Sequence, residues 1–311
     1  MKTLFLAGAA FLATALLTGC GGSSSSSTDD GSDTPASQET TLKIPFTAVT
    51  GETEISCGTP VSGLGSSDTS GEFQYAAWFV YDVKLVTETG DVDTQLIEND
   101  FQNADYDFAF LEFRDILGGC THADQEPYPT NSMLTLTANV DASQVKGVKF
   151  KLGMPYEPNH TVENKFQQEK AYYAMLWNWQ AGFRFMRVDL IPDGGFTQGG
   201  TLYEDTTFNF HLGSTGCEGD PVACVQPNNT TDFVLTNDQF VVNESGTGTK
   251  VKFDYAELVS GMDLTVDEGG SKGCMSALQD PECTPMFYNL GIPLGDKVGR
   301  TDQQVFSLQL N

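Results

Sequence analysis

The fold is decided by the stretch Phe73-Gln74-Tyr75-Ala76-Ala77-Trp78-Phe79-Val80-Tyr81-Asp82-Val83-Lys84-Leu85-Val86-Thr87. Aromatic and β-branched side chains dominate it, the composition that favours a strand over a helix. Upstream, Thr41 to Thr50 alternates, with Leu42, Ile44, Phe46 and Ala48 on one face. The same character recurs in Tyr106 to Phe113, Met133 to Val140, Val145 to Leu152 and Phe183 to Ile191. Shorter candidates are Thr207 to Leu212, Asp232 to Leu235, Phe240 to Val242, Val251 to Tyr255 and Val305 to Leu310. Clusters of Gly, Asn, Asp and Pro separate these runs, which predicts an all-β fold, an antiparallel β-sandwich with small helical insertions. The insertions fall at Glu163 to Leu176, rich in Lys, Gln, Glu and Ala, and near Cys274 to Leu278.

The N-terminal segment has a different character. Lys2 precedes an apolar run from Leu4 to Leu17, too short to span a bilayer, and Leu17-Thr18-Gly19-Cys20 has the form of a lipobox. The expectation is a lipoprotein signal peptide over residues 1–19, with lipidation at Cys20. An ordinary cleaved signal with a chance cysteine is the plainer alternative. Gly21 in place of Asp after the lipidated residue favours the outer membrane of the cell envelope over the inner one. Residues 20–40 are Gly, Ser, Thr and Asp with almost no aliphatic side chain, a flexible tether. As a coil, such a segment reaches on the order of 25 Å root-mean-square. Residues 41–311 then form the folded domain.

The balance of 16 basic against 42 acidic residues gives a net charge of −26. Such a surface repels nucleic acid and anionic lipid, and serves solubility. Acidic, glycine-containing loops such as Asp263 to Gly270 lack the order of an EF-hand and read as solvated turns. No nucleophile elbow, P-loop, H-E-x-x-H or dinucleotide fingerprint is present in the sequence, so nothing marks an enzyme.

Apart from Cys20 there are six cysteines: Cys57, Cys120, Cys217, Cys224, Cys274 and Cys283. An even number in an exported chain argues for disulfides. Cys217 with Cys224 and Cys274 with Cys283 are close enough in sequence for local loops, which leaves Cys57 with Cys120. The rival, a cysteine-ligated zinc site, lacks any C-x-x-C pair.

Histidine is scarce. His160 closes Leu152-Gly153-Met154-Pro155-Tyr156-Glu157-Pro158-Asn159-His160, and His211 follows Phe208-Asn209-Phe210 at a strand end. His122 lies in a polar loop. Imidazoles at strand-to-loop boundaries can converge on one metal ion, although a hydrogen-bonded structural role is the commoner fate. Between them lies Trp177-Asn178-Trp179-Gln180-Ala181-Gly182-Phe183-Arg184-Phe185-Met186-Arg187, whose aromatic residues by composition belong to a core strand. The methionines Met154, Met175, Met186, Met275 and Met286 are soft enough for Cu(I) but commonly fill cores.

Taken in order, these blocks resemble those of the MbnP-like family, the four-Cys proteins of the metallo-mystery pair. The blocks are Leu152 to His160, Trp177 to Phe185 and His211 to Cys217, with Phe46-Thr47-Ala48, Cys57, Tyr81 to Leu85, Leu111-Glu112-Phe113 and Cys120. Cys274-Met275-Ser276, Cys283, Phe287 and Leu290-Gly291 complete the resemblance. It implies a copper-associated envelope protein partnered by a di-haem, MauG-like cytochrome c peroxidase, which oxidises a client tryptophan to kynurenine. Opening the indole yields an aniline-type amine and a ketone, both able to meet a metal. On this resemblance Trp177 or Trp179 is the modified residue and joins His160 and His211 around copper. Glu157 and Asp82 are further candidates, as ligands or as groups orienting a histidine, while Trp78 belongs to the core. The function expected is binding, with no turnover. The alternative from another class is a surface β-sandwich that uses its aromatic residues for adhesion or for glycan or protein recognition.

Overall fold

The computed structural model describes residues 39–56, 58–113, 130–160, 171–225 and 229–311. The expected signal peptide, Cys20, nearly all of the tether, Cys57, Cys120 and His122 lie outside the described residues.

The expected strands form, with some shifts of boundary. They are β1 (Thr40–Thr50), β2 (Thr69–Thr87), β3 (Gly90–Leu96), β4 (Phe108–Glu112), β5 (Met133–Ala138) and β6 (Val145–Leu152). There follow β7 (Leu176–Trp177), β8 (Gly182–Pro192), β9 (Phe208–Gly213), β10 (Asp232–Thr236), β11 (Lys250–Asp254), β12 (Gly273–Cys274) and β13 (Phe306–Gln309). Three short helices intervene: α1 (Tyr156–His160), α2 (Tyr255–Leu258) and α3 (Cys283–Leu290).

One curled sheet runs in the order β12-β9-β8-β2-β3-β5-β1-β11-β13, and a small second sheet joins Thr201–Tyr203, Phe196–Gln198 and Val266–Asp267. Antiparallel pairs dominate, but β1 with β11 and β9 with β12 run parallel. The sandwich is therefore mixed, because strands distant in sequence close its edges.

Strand β2 organises the whole. Its first half pairs with β8, its middle with β4, and its second half with β6 and β3. The register against β6 shifts between Tyr81 and Lys84, where Asp82 takes a positive φ of 49°. Aspartate tolerates this left-handed conformation because its short carboxylate bonds locally. Here the Asp82 carboxylate meets Lys84 and Lys151, and its backbone N–H donates to Asp107. Asp82 thus shapes the bend of the strand, and among the described residues its carboxylate meets lysines, not a histidine.

Along β2, Ala76, Ala77, Trp78, Phe79 and Val80 are all buried, so both faces are covered. Trp78 stacks on Phe113 at 4.4 Å and meets Phe253 at 4.9 Å, which is the core position expected for it. On the other face Phe79 packs against Phe110, Tyr172 and Phe183. Each such ring contributes roughly 1.5–3 kcal/mol of burial.

Three expectations fail locally. Phe240–Val242 is buried at Phe240 and Val242 but is not a strand, since Asn237 and Asp238 begin a turn there instead. The helix expected over Glu163 to Leu176 lies partly outside the described residues. Its described part is a 3-10 turn, Ala171–Met175, and Leu176 already belongs to β7. Near Cys274 a two-residue strand replaces the short helix, which forms later, at Cys283–Leu290. Pairing with Asn209 and Phe210 of β9 draws Gly273 and Cys274 into the sheet.

Candidate metal centre

The centre lies at one corner of the sheet, where β7, β8 and β9 meet. In β7, Trp177 stands opposite Gly182 of β8, and in β8, Arg184 stands opposite Gly213 of β9. Paired residues share a face of a sheet, so these four positions point the same way. Two of them carry no side chain, and that gives room. A Cβ on Gly213 would stand 3.1 Å from the Trp177 ring, and one on Gly182 would stand 2.6 Å from Asn159 Oδ1 and 3.0 Å from His160 Cε1. Gly182→Ala is therefore expected to push Asn159 and His160 aside. If the corner binds copper, as the resemblance implies, its affinity should fall about 10-fold, as when a group supporting a ligand is lost, with overpacking costing about 1–3 kcal/mol. Metal titration and thermal melting of the same sample check both effects.

His160 ends α1. Its Nδ1 lies 2.7 Å from the carbonyl oxygen of Ala181, which can only accept, so Nδ1 carries the proton and Nε2 the lone pair. Asn159 Nδ2 donates to that Nε2 at 3.0 Å, while Asn159 Oδ1 accepts from the backbone N–H of Phe183. An imidazole whose Nδ1–H is fixed by a carbonyl is prepared to offer Nε2 to a metal. It borders a cavity of about 490 Å³ shared with Met154, Tyr156, Ser214 and Cys224.

Cys224 Sγ lies 3.7 Å from His160 Nε2. With Cys217 it forms a group whose potential ligand atoms all lie within 4.8 Å of one another. The two sulfurs are joined in the Cys217–Cys224 disulfide, however, and present no thiolate. Cys274–Cys283 is the second disulfide, as expected, and the Cys57–Cys120 pairing falls outside the described residues.

His211 sits on the same face, buried, in a different setting. Its Nε2 bonds Asp189 Oδ1 at 2.7 Å, and Arg184 Nε donates to its Nδ1 at 3.3 Å. Asp189 is almost fully buried and takes two bonds from Arg187, from Nε and Nη2, on its other oxygen. Burial pushes the carboxyl of Asp189 up, but His211 and Arg187 outweigh it and hold it below the usual range. Burial pulls His211 below its ordinary value against the opposing pull of Asp189, so the ring is neutral at neutral pH. Arg184 is drawn down to about 10 by burial and by Arg187, and keeps its charge. Its guanidinium lies 5.4 Å over the Trp177 ring, which meets His211 edge-on at 6.4 Å.

The structure thus brings Trp177 and His211 together on one sheet face and holds His160 at the end of α1, beside Gly182. Glu157 is exposed on α1, three residues before His160. Trp179 lies in the 3-10 turn Asn178–Gln180, and its side chain is outside the described residues. Reasoning from sequence missed Asp189, Arg184 and Asn159. The signal for the first two was available: Arg184, Arg187 and Asp189 interrupt an apolar strand that pairs with the one bearing His211.

Fold and site together define a class of protein: a disulfide-stapled β-sandwich-like domain with a buried tryptophan against one oriented imidazole and a second oriented imidazole at a helix end beside the same sheet corner. The chain belongs to the MbnP family, whose model matches residues 39–276. It is similar in structure to MbnP from Methylosinus trichosporium, with a TM-score of 0.70 and 28% sequence identity, covering 88% of this chain and 99% of that one. No curated protein matches the chain.

Proposed function

We propose that this is an exported copper-binding lipoprotein, held in the outer membrane of the cell envelope through Cys20, which binds its metal and performs no turnover. In this reading Trp177 is the residue that a di-haem, MauG-like peroxidase partner converts to kynurenine. The observation that supports it is the contact of Trp177 with His211, with His160 held beside Gly182, the residue that pairs with Trp177. Membership of the MbnP family supports it.

The donors suit copper unequally. His160 has its Nδ1–H fixed by the Ala181 carbonyl, and its Nε2 lone pair becomes a ligand once the Asn159 amide that donates to it turns away; Met154 borders the same cavity. His211 is oriented by Asp189, but its remaining lone pair accepts from Arg184, so it becomes a ligand only when that guanidinium moves. Opening the indole of residue 177 would exchange the flat ring under Arg184 for a shorter aniline and a ketone. That change removes the surface on which the guanidinium rests. Bound copper would be held by His160, His211 and the opened ring, a nitrogen-rich set of borderline softness suited to copper.

The test is peptide mass spectrometry of the protein isolated from its native membrane, with copper measured on the same sample. A kynurenine-sized mass gain on the peptide holding Trp177 and Trp179, together with near-stoichiometric copper, is the expected result. Unmodified tryptophans and no copper, even after loading, would overturn the reading.

A further inference from the structure

The Cys274–Cys283 disulfide closes a loop that holds a second, unrelated group of polar side chains. Asp267, expected in a solvated turn, is in fact buried, and so are Asp280 and Glu282, at 2%, 3% and 5% exposure. Asp267 is fully engaged. Its Oδ1 accepts from Gln198 Nε2 at 2.6 Å and from the Gly269 N–H, and its Oδ2 accepts from the Gly273 N–H. The other two are only half satisfied. Asp280 Oδ1 accepts from the Glu282 N–H, and Glu282 Oε1 accepts from the Glu268 N–H at 2.6 Å. Asp280 Oδ2 and Glu282 Oε2 are shut off from solvent and meet no hydrogen-bond donor, and no ion pair among the described residues includes any of the three carboxylates.

Buried carboxylate oxygens without a donor are costly unless a cation or a proton neutralises them. Glu282 occupies the N-cap of α3 yet makes no side-chain cap bond, so its second oxygen is not used by the helix. Burial, a side-chain hydrogen bond with Glu282 and the charge of Glu282 push the Asp280 carboxyl up to about 7, so without a cation the two carboxyls share a proton. Gly270 lies close against Asp280: a Cβ there would lie 3.3 Å from Asp280 Oδ2. On the outer side, Glu282 borders a surface hollow that it shares with the exposed Asp263 and Glu268, an acidic approach for a cation.

We propose that Asp280 Oδ2 and Glu282 Oε2 are the anchoring ligands of a calcium site, with Asp267 setting the loop and adding negative charge behind them. All the donors are oxygen, no imidazole or thiolate takes part, and backbone carbonyls and water can complete the shell of a large hard cation. Such an ion would fasten the disulfide loop and α3 to the small sheet, which Asp267 already joins through Gln198.

The experiment uses the whole mature protein, stripped with a chelator and titrated with calcium chloride at pH 8, followed by calorimetry and thermal melting. One calcium ion per chain is expected, with a Kd on the order of 10⁻⁴ M as in extracellular modules, and a higher melting temperature. The double variant Asp280→Asn, Glu282→Gln should lose this binding about 100-fold or more while melting, without calcium, no lower than the wild type, since two amides relieve the repulsion. His160→Ala should bind calcium normally, which separates this site from the copper centre. Absence of calcium binding by the wild type, with the double variant stabilised, would overturn the proposal in favour of a carboxyl–carboxylate pair sharing a proton. Stoichiometric binding that survives in the double variant would overturn it in favour of the acidic surface.

Discussion

On the proposed function, replacing Trp177 by Phe is expected to abolish the kynurenine-sized mass gain and to weaken copper retention by about 100-fold or more, since the proposed ligand is lost where supporting groups alone are worth 10–100-fold. The phenyl ring can still lie over Gly213 and under Arg184, so the corner of the sheet survives. The smaller ring leaves a partial cavity, and a cost of about 1–3 kcal/mol follows, which leaves the domain folded. Trp78→Phe gives the contrast. Trp78 is fully buried among Phe113, Phe253 and Phe306, so its loss should lower stability similarly and leave copper uptake intact. Copper quantification, peptide mass spectrometry and a melting curve on both variants decide the matter. Normal copper in Trp177→Phe together with its loss in Trp179→Phe would move the modified residue two positions along the chain.

The strands were legible because each carries its own signal. Residues 75–80 are apolar on both faces and lie buried on both faces, and the alternation of Leu42, Ile44 and Phe46 matches a strand paired along its whole length. The failures mark places where a distant partner decides. Gly273 and Cys274 look like the start of a helix locally, but β9 takes them as a parallel neighbour. Phe240 and Val242 have the alternation of a strand, but the turn begun at Asn237 takes the N–H of Phe240, and Val241 bonds to Thr249 instead of to a ladder. The local disulfides were readable from spacing because short loops leave few partners.

The candidate centre was legible only in part, for a physical reason. Residue type identifies a possible ligand, whereas the group that orients it comes from another strand. Asp82 sits in a block expected near the site and proves to bend β2, while Asp189, which nothing local singles out, holds His211. Likewise Asp267 and Asp280 are thirteen residues apart in sequence and look like solvated acids. Burial alone distinguishes them from the many exposed carboxylates of so acidic a chain.

Asp189 carries the second large prediction. Removing its carboxylate by Asp189→Ala leaves Arg187 without its ion-pair partner and the Nε2–H of His211 buried without an acceptor. Breaking a buried pair from one side costs about 3–5 kcal/mol, which in a domain of this size lowers the melting temperature by roughly 10 °C. His211 also loses its orientation, so copper affinity should fall by about 10–100-fold even in the folded fraction. The pH dependence has a definite sign. Asp189 is held below its unfolded value, so its contribution is present above about pH 4 and is lost as the pH falls further. His211 is also held below its unfolded value; the unfolded chain therefore gains a proton first, and stability begins to decline as the pH drops below about 6.5. Urea unfolding across this range should show both declines in the wild type, and in Asp189→Ala only the one that belongs to His211. A variant that unfolds like the wild type at every pH would show that the buried Arg187–Asp189–His211 row does not hold the corner together. The orientation of His211 would then have to come from Arg184 alone.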